Sequence, residues 1–132
     1  MKLILVRHGQ TKENKNKIWQ GQSEGTLSEE GEEQARKLAK KLEKESIDVI
    51  YCSDLQRTKN TIKPFLEKNN RPIKYVEALR ERRLGVLEGS TTEQVGKYLA
   101  ENKIGFETCN FETGETFYEM RERLAKFYES IA

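Results

Sequence analysis

Three apolar runs punctuate the first part of this chain, and each stops abruptly on charged or small polar residues. They read "LILVRHGQT" at residues 3–11, "IDVIYCSD" at 47–54 and "PIKYVEAL" at 72–79. Short apolar runs bounded in this way predict strands. The segment between the first two, "LSEEGEEQARKLAKKLEKES", places Ala35, Leu38, Ala39 and Leu42 on one helical face behind a Ser28 N-cap. After the second run, Leu55, Ile62, Phe65 and Leu66 share a face, Ser53 or Asp54 stands ready to cap, and Pro64 is expected to kink the helix or end it early. Strand, helix, strand, helix, strand predicts an α/β fold of three layers, α/β/α, around a mostly parallel central sheet.

Beyond Leu79 the pattern loosens. A short helix is predicted over residues 93–101, then a Gly-containing loop over 103–114. A final helix is expected from Thr116, where Thr116 and Glu119 have the spacing of a capping box, burying Phe117, Met120, Leu124, Phe127 and Ile131. Without repeats or linkers, residues 1–132 read as one domain.

Charge is abundant but balanced, with 24 Lys+Arg against 22 Asp+Glu. That balance argues against a general nucleic-acid or membrane-surface binder, while leaving room for a local basic pocket. The first residues do not form the long apolar stretch expected of a signal peptide or membrane span, and Cys52 and Cys109 are far apart in sequence with no Cys-x-x-Cys pair. A reducing cytoplasm is the expected location. Cys52 reads as a small buried hydrophobe and Cys109 as a loop thiol.

In parallel sheets, ligands bind beyond the carboxyl ends of the strands. The first run delivers Arg7, the sole histidine His8, and Gly9, which permits close backbone approach; the second delivers Ser53, Asp54 and Arg57; the third delivers Arg80, Glu81, Arg82 and Arg83. Guanidinium forks match phosphoryl oxygens, and a helix amino terminus adds free N–H groups, so this set suits a phosphate ester. With a single histidine and no Asp/His/Cys ligand cluster, neither metal nor cofactor is expected.

"LVRHGQT" with Asn14 and "QGQSEGTLSEEG", then "SDLQRTKNT", then "LRERRLGVLEG", occur in an order that resembles the histidine phosphatase superfamily, which includes cofactor-dependent phosphoglycerate mutase. The resemblance implies His8 as nucleophile, Arg7 and Arg57 as phosphate clamps, Glu81 as proton donor, and Asn14, Gln20 and Gly21 as pocket-lining residues. It implies a phosphomonoester hydrolase that works through a phosphohistidine on a small phosphorylated metabolite. The residues leave other readings open. Glu77 and Glu88 flank Glu81, which among Arg80, Arg82 and Arg83 has a plain ion-pair role as its alternative; Asn14 also suits a turn, Asn16 is its substitute, and Trp19 is packing or a pocket wall.

Phosphoglycerate mutase chemistry is the alternative enzyme. It calls for cations closing over the site, whereas the stretch after Gly89 up to the final helix contains only Lys97 and Lys103, which favours hydrolysis. The family pattern also continues into a strand ending in a second histidine, commonly Ser-His-Gly, which residues 1–132 do not contain. The expectation is a shortened member of the family, with an incomplete phosphate pocket and an exposed sheet edge inviting a homodimer. A non-catalytic phosphate-ester or protein-binding module is the runner-up of a different class.

Overall fold

The computed structural model describes residues 1–132. Five helices and two strands follow in the order α1 (Lys12–Lys15), α2 (Glu29–Leu42), β1 (Ile50–Cys52), α3 (Gln56–Lys68), β2 (Ile73–Tyr75), α4 (Thr92–Glu101) and α5 (Phe117–Ile131). Single 3-10 turns occupy Glu77–Leu79 and Gly85–Leu87. β1 and β2 are parallel, with Ile50 opposite Ile73 and Cys52 opposite Tyr75.

Alternation along β1 separates the layers. Ile50 and Cys52 face the cluster of Ala39, Leu42, Ile62 and Phe65 from α2 and α3. Tyr51 turns the other way and meets Phe127 of α5 edge-on at 5.3 Å. The expected three-layer α/β/α arrangement is therefore present around a small sheet. A second cluster, Leu84, Leu87, Val95, Cys109 and Phe111, lies beside it with Trp19 packed against it. Cys109, read as a loop thiol, is 4% exposed in this cluster.

The first apolar run is not a strand. Residues 1–7 make no backbone hydrogen bond, and Leu3, Leu5 and Val6 are 50%, 84% and 47% exposed. The run borders an apolar cleft of about 540 Å³ together with Val49, Tyr51, Phe127 and Ile131. β1 pairs only with β2, so no ladder reaches residues 3–7, and a strand without a partner has nothing to satisfy its N–H and C=O groups.

The predicted helix interiors are largely as expected. Ser28 caps α2 by accepting from Gly31 N, and Ala35, Ala39 and Leu42 are buried. Thr116 and Glu119 form the capping box of α5, and Thr91 and Gln94 form one on α4. Three expectations fail. α3 does not end early: it passes through Pro64 to Lys68, because Phe65 is buried beyond the proline and holds the last turns against the core. Its N-cap is Leu55, without a side-chain cap bond; Glu24 instead accepts from Gln56 N at 3.0 Å. α5 has no buried residue: one end packs near Glu77–Leu79, and Phe127 and Ile131 face the cleft rather than a filled core.

Candidate active site

His8 follows the unpaired run and is gripped by both helices of one layer. Gly9 N donates to Thr61 Oγ1 of α3 at 3.0 Å, and Gln10 N donates to Gln34 Oε1 of α2 at 2.8 Å. Gly9 and Gly31 let these backbones touch, since a Cβ on Gly31 would lie 2.0 Å from Gln10 O and one on Gly9 2.7 Å from Gly31 O. The expected close approach at Gly9 is met by α2.

The His8 ring is half-buried, and its Nδ1 lies 2.7 Å from Gly9 O. A carbonyl can only accept, so Nδ1 carries the proton and Nε2 keeps its lone pair. Burial lowers the His8 pKa below 6.5; the Gly9 carbonyl opposes this, the Arg57 and Arg7 charges add to it, and Glu81 pulls upward. The imidazole is consequently neutral near pH 7, with its tautomer fixed.

Arg57, in the first turn of α3, is 2% exposed. Its Nη1 donates to Ser23 O at 2.7 Å and its Nη2 to Gly21 O at 2.5 Å. Nε is buried with no partner, and no carboxylate forms a salt bridge with this guanidinium. Burial pulls its pKa down, while Glu81, Glu24, Glu13 and Glu88 act in the opposite sense. Arginine remains charged even so. A buried cation held by carbonyls, beside a neutral imidazole, makes a local positive field without a fixed counter-ion.

Arg7 and Glu81 are exposed, and both act on His8 through their charges. Glu81 Oε1 accepts from Arg82 N at 2.7 Å. The charges of Arg57, Arg7 and Glu81 thus all bear on His8, and no hydrogen bond or salt bridge joins the four side chains to one another. The substrate-lining set behaves differently. Asn14 accepts from Thr11 N in the capping box of α1, and its Nδ2 reaches Gln20 Oε1 at 3.4 Å. Gln20 is buried, accepts also from Thr11 Oγ1 at 2.8 Å and donates to Glu13. Both amides are thus engaged in shaping the loop that follows His8. Gly21, in the left-handed region at φ +54°, contributes its carbonyl to Arg57.

Of the neighbours weighed against Glu81, Glu88 accepts from Gln22 N at 2.9 Å and Glu77 pairs with Arg80. Arg80 grips Asp54 with two bonds of 2.7 Å. Arg82 is not a surface cation: it is 3% exposed and donates to the carbonyls of Phe106, Cys109 and Glu115. Trp19 is packing, edge-on to Phe106 at 5.4 Å, with its indole N–H donated to Thr92. Sequence reasoning missed Glu24, Arg123 and the carbonyls of residues 21 and 23. Glu24 lies 32 residues before Gln56 and gave no local signal, and backbone carbonyls leave no mark in a sequence.

The model of the histidine phosphatase superfamily, branch 1, matches residues 3–132. The chain belongs to this family. A probable phosphatase of Schizosaccharomyces pombe is 40% identical over 130 residues, covering 98% of this chain and 59% of that protein. Fructose-2,6-bisphosphatase TIGAR of Bos taurus is 38% identical, covering 98% of this chain and 50% of the relative. Among solved structures, YhfR of Bacillus stearothermophilus superposes with a TM-score of 0.84 at 30% identity over 95% of this chain and 64% of that one. The alpha-ribazole phosphatase of Shigella flexneri gives 0.86 at 26% identity, covering 96% and 64%. The chain therefore spans between half and two thirds of the length of these histidine phosphatase relatives. No helix is long and apolar enough to cross a membrane.

Proposed function

We propose that this histidine phosphatase chain hydrolyses phosphomonoesters of small metabolites through a phosphohistidine on His8. The observation that carries the reading is the neutral, tautomer-fixed imidazole beside the buried Arg57 guanidinium, which has no carboxylate partner. His8 Nε2 attacks phosphorus, and the bond to the ester oxygen breaks. Glu81 gives that oxygen a proton, and Arg7 and Arg57 spread the charge on the transferring group. Water then attacks the phosphohistidine while Glu81 takes its proton, releasing inorganic phosphate and restoring the neutral imidazole. Asn14, Gln20 and Gly21 line the pocket by fixing the loop whose carbonyls orient Arg57.

Hydrolysis is preferred to mutase chemistry because Lys97 already pairs with Glu101, leaving Lys103 as the remaining cation between Gly89 and α5. The names of the relatives, a fructose-2,6-bisphosphatase and an alpha-ribazole phosphatase among them, support a small phosphate ester as the partner. Balanced charge speaks against nucleic acid, and two unpaired buried cysteines suit a cytoplasmic location. A second copy is the proposed partner for the bare backbone edge of residues 3–7.

The test is hydrolysis of p-nitrophenyl phosphate by the chain and by His8→Ala and Arg57→Met variants. Loss of turnover with His8→Ala and a drop of roughly 10²–10³ with Arg57→Met are expected. Acid-labile phosphate on His8 should be trapped during turnover. Unchanged activity in His8→Ala would refute the reading.

A further inference from the structure

Glu81 lies outside any helix or strand, since residues 80–84 lie between two 3-10 turns. A proton donor must nevertheless be held to within a fraction of an ångström of its acceptor. The hold comes from α5. Arg123 Nη1 donates to Ala78 O at 2.6 Å and to Arg80 O at 2.9 Å, and Nη2 reaches Glu81 O at 3.4 Å. The same guanidinium is fixed by Glu115, with Nη2 to Oε1 at 2.5 Å and Nε to Oε2 at 3.3 Å.

Glu115 closes the clamp on the far side of Glu81. Its side chain is 6% exposed. Oε1 also accepts from Arg83 N at 3.0 Å, and its backbone N–H donates to Arg83 O at 2.9 Å. Burial pushes the Glu115 carboxyl up, but the Arg123 guanidinium and the Arg83 N–H outweigh it and keep the group ionised. One ion pair therefore grips the backbone at residues 78, 80, 81 and 83, on both sides of the acid. A surface ion pair would contribute little. This one spends its donors and acceptors on the segment that carries Glu81.

We infer that Arg123 and Glu115 are positioning residues for Glu81, holding its carboxyl beside His8 so that α5 sets the proton-transfer geometry. The inference rests on the proposed role of Glu81 as acid and base.

Two measurements separate positioning from plain stability. The first needs no turnover. His8 is the sole histidine, so its imidazole resonance titrates alone in an NMR spectrum. The charges acting on it are Arg57, Arg7 and Glu81. Glu81→Gln removes the carboxylate and must lower the His8 pKa. Arg123→Met should lower it in the same direction, because Glu81 drifts away; simple loss of a cation would raise it. Arg123→Lys, which keeps the charge and serves where Arg123→Met does not fold, should give a smaller downward shift. A His8 titration that stays in place or moves upward in these variants overturns the inference.

The second compares leaving groups. An alkyl phosphate needs a proton at departure and p-nitrophenolate does not. Arg123→Met or Glu115→Gln should lower kcat/KM, which reports the steps through phosphoryl transfer to His8, by about 10-fold or more on the alkyl ester while changing it much less on p-nitrophenyl phosphate. Equal losses on both esters overturn the inference. A wild-type chain that hydrolyses neither ester refutes the phosphatase reading instead, and the His8 titration then still decides whether Arg123 positions Glu81.

Discussion

At the scale of single residues, the neutral His8 ties chemistry to stability. Its folded-state pKa lies below the ordinary 6.5 because burial and the charges of Arg57 and Arg7 disfavour the imidazolium. Between the folded value and 6.5 the unfolded chain binds more protons than the folded one, so this group makes stability rise with pH. Its contribution is complete above 6.5 and is lost as the pH falls toward the folded value. Denaturant melts from about pH 5 to about pH 7.5 should show that slope in the wild type and a flatter one in His8→Gln. The Asp54 carboxyl, held low by its bonds from Arg80, titrates beneath this window. Much of the residue scale was legible: a lone histidine after an apolar run, a second arginine and a glutamate were all visible as candidates. The fate of Gln20 was not, because its three side-chain partners come from Thr11, Glu13 and Asn14 only once α1 has formed.

Elements matter here chiefly through what they press against. α2 meets the His8 loop backbone to backbone, and Gly31 in its first turn makes the contact possible. Gly31→Ala would put a methyl 2.0 Å from Gln10 O, so either α2 withdraws or the loop shifts. The expected result is destabilisation of about 1–3 kcal/mol despite the better helix propensity of alanine, read from urea melts. Wild-type stability in that variant would mean the helix yields at no cost. The four longer helices were readable from spacing and capping signals, since both depend on neighbours three and four residues away, whereas the single-turn α1 was not. The start of α3 was not, because Glu24, the residue that accepts from Gln56 N, is far away in sequence.

For the whole molecule, the bare edge is the dominant feature. Leu3, Leu5 and Val6 stand exposed on a segment whose backbone is unbonded, and β1 offers only one paired side. Such an edge is a template for pairing with another chain. Sedimentation velocity across a micromolar concentration series should reveal reversible dimers, and Leu5→Lys should shift the equilibrium toward monomer. A monomer at every concentration would refute pairing along this edge.

By itself the sequence determined where helices α2 to α5 lie, which residues are candidates for chemistry, and the family to which the chain belongs. These are local or type-encoded properties: periodicity, caps, and the fitness of imidazole and guanidinium for phosphate. Tertiary structure alone decided that the first apolar run stays unpaired, that Arg82 is buried, and that Arg123 on the last helix grips the segment bearing Glu81. A ladder, a buried cation and a backbone clamp each need partners from distant parts of the chain, and only packing brings those partners within bonding distance.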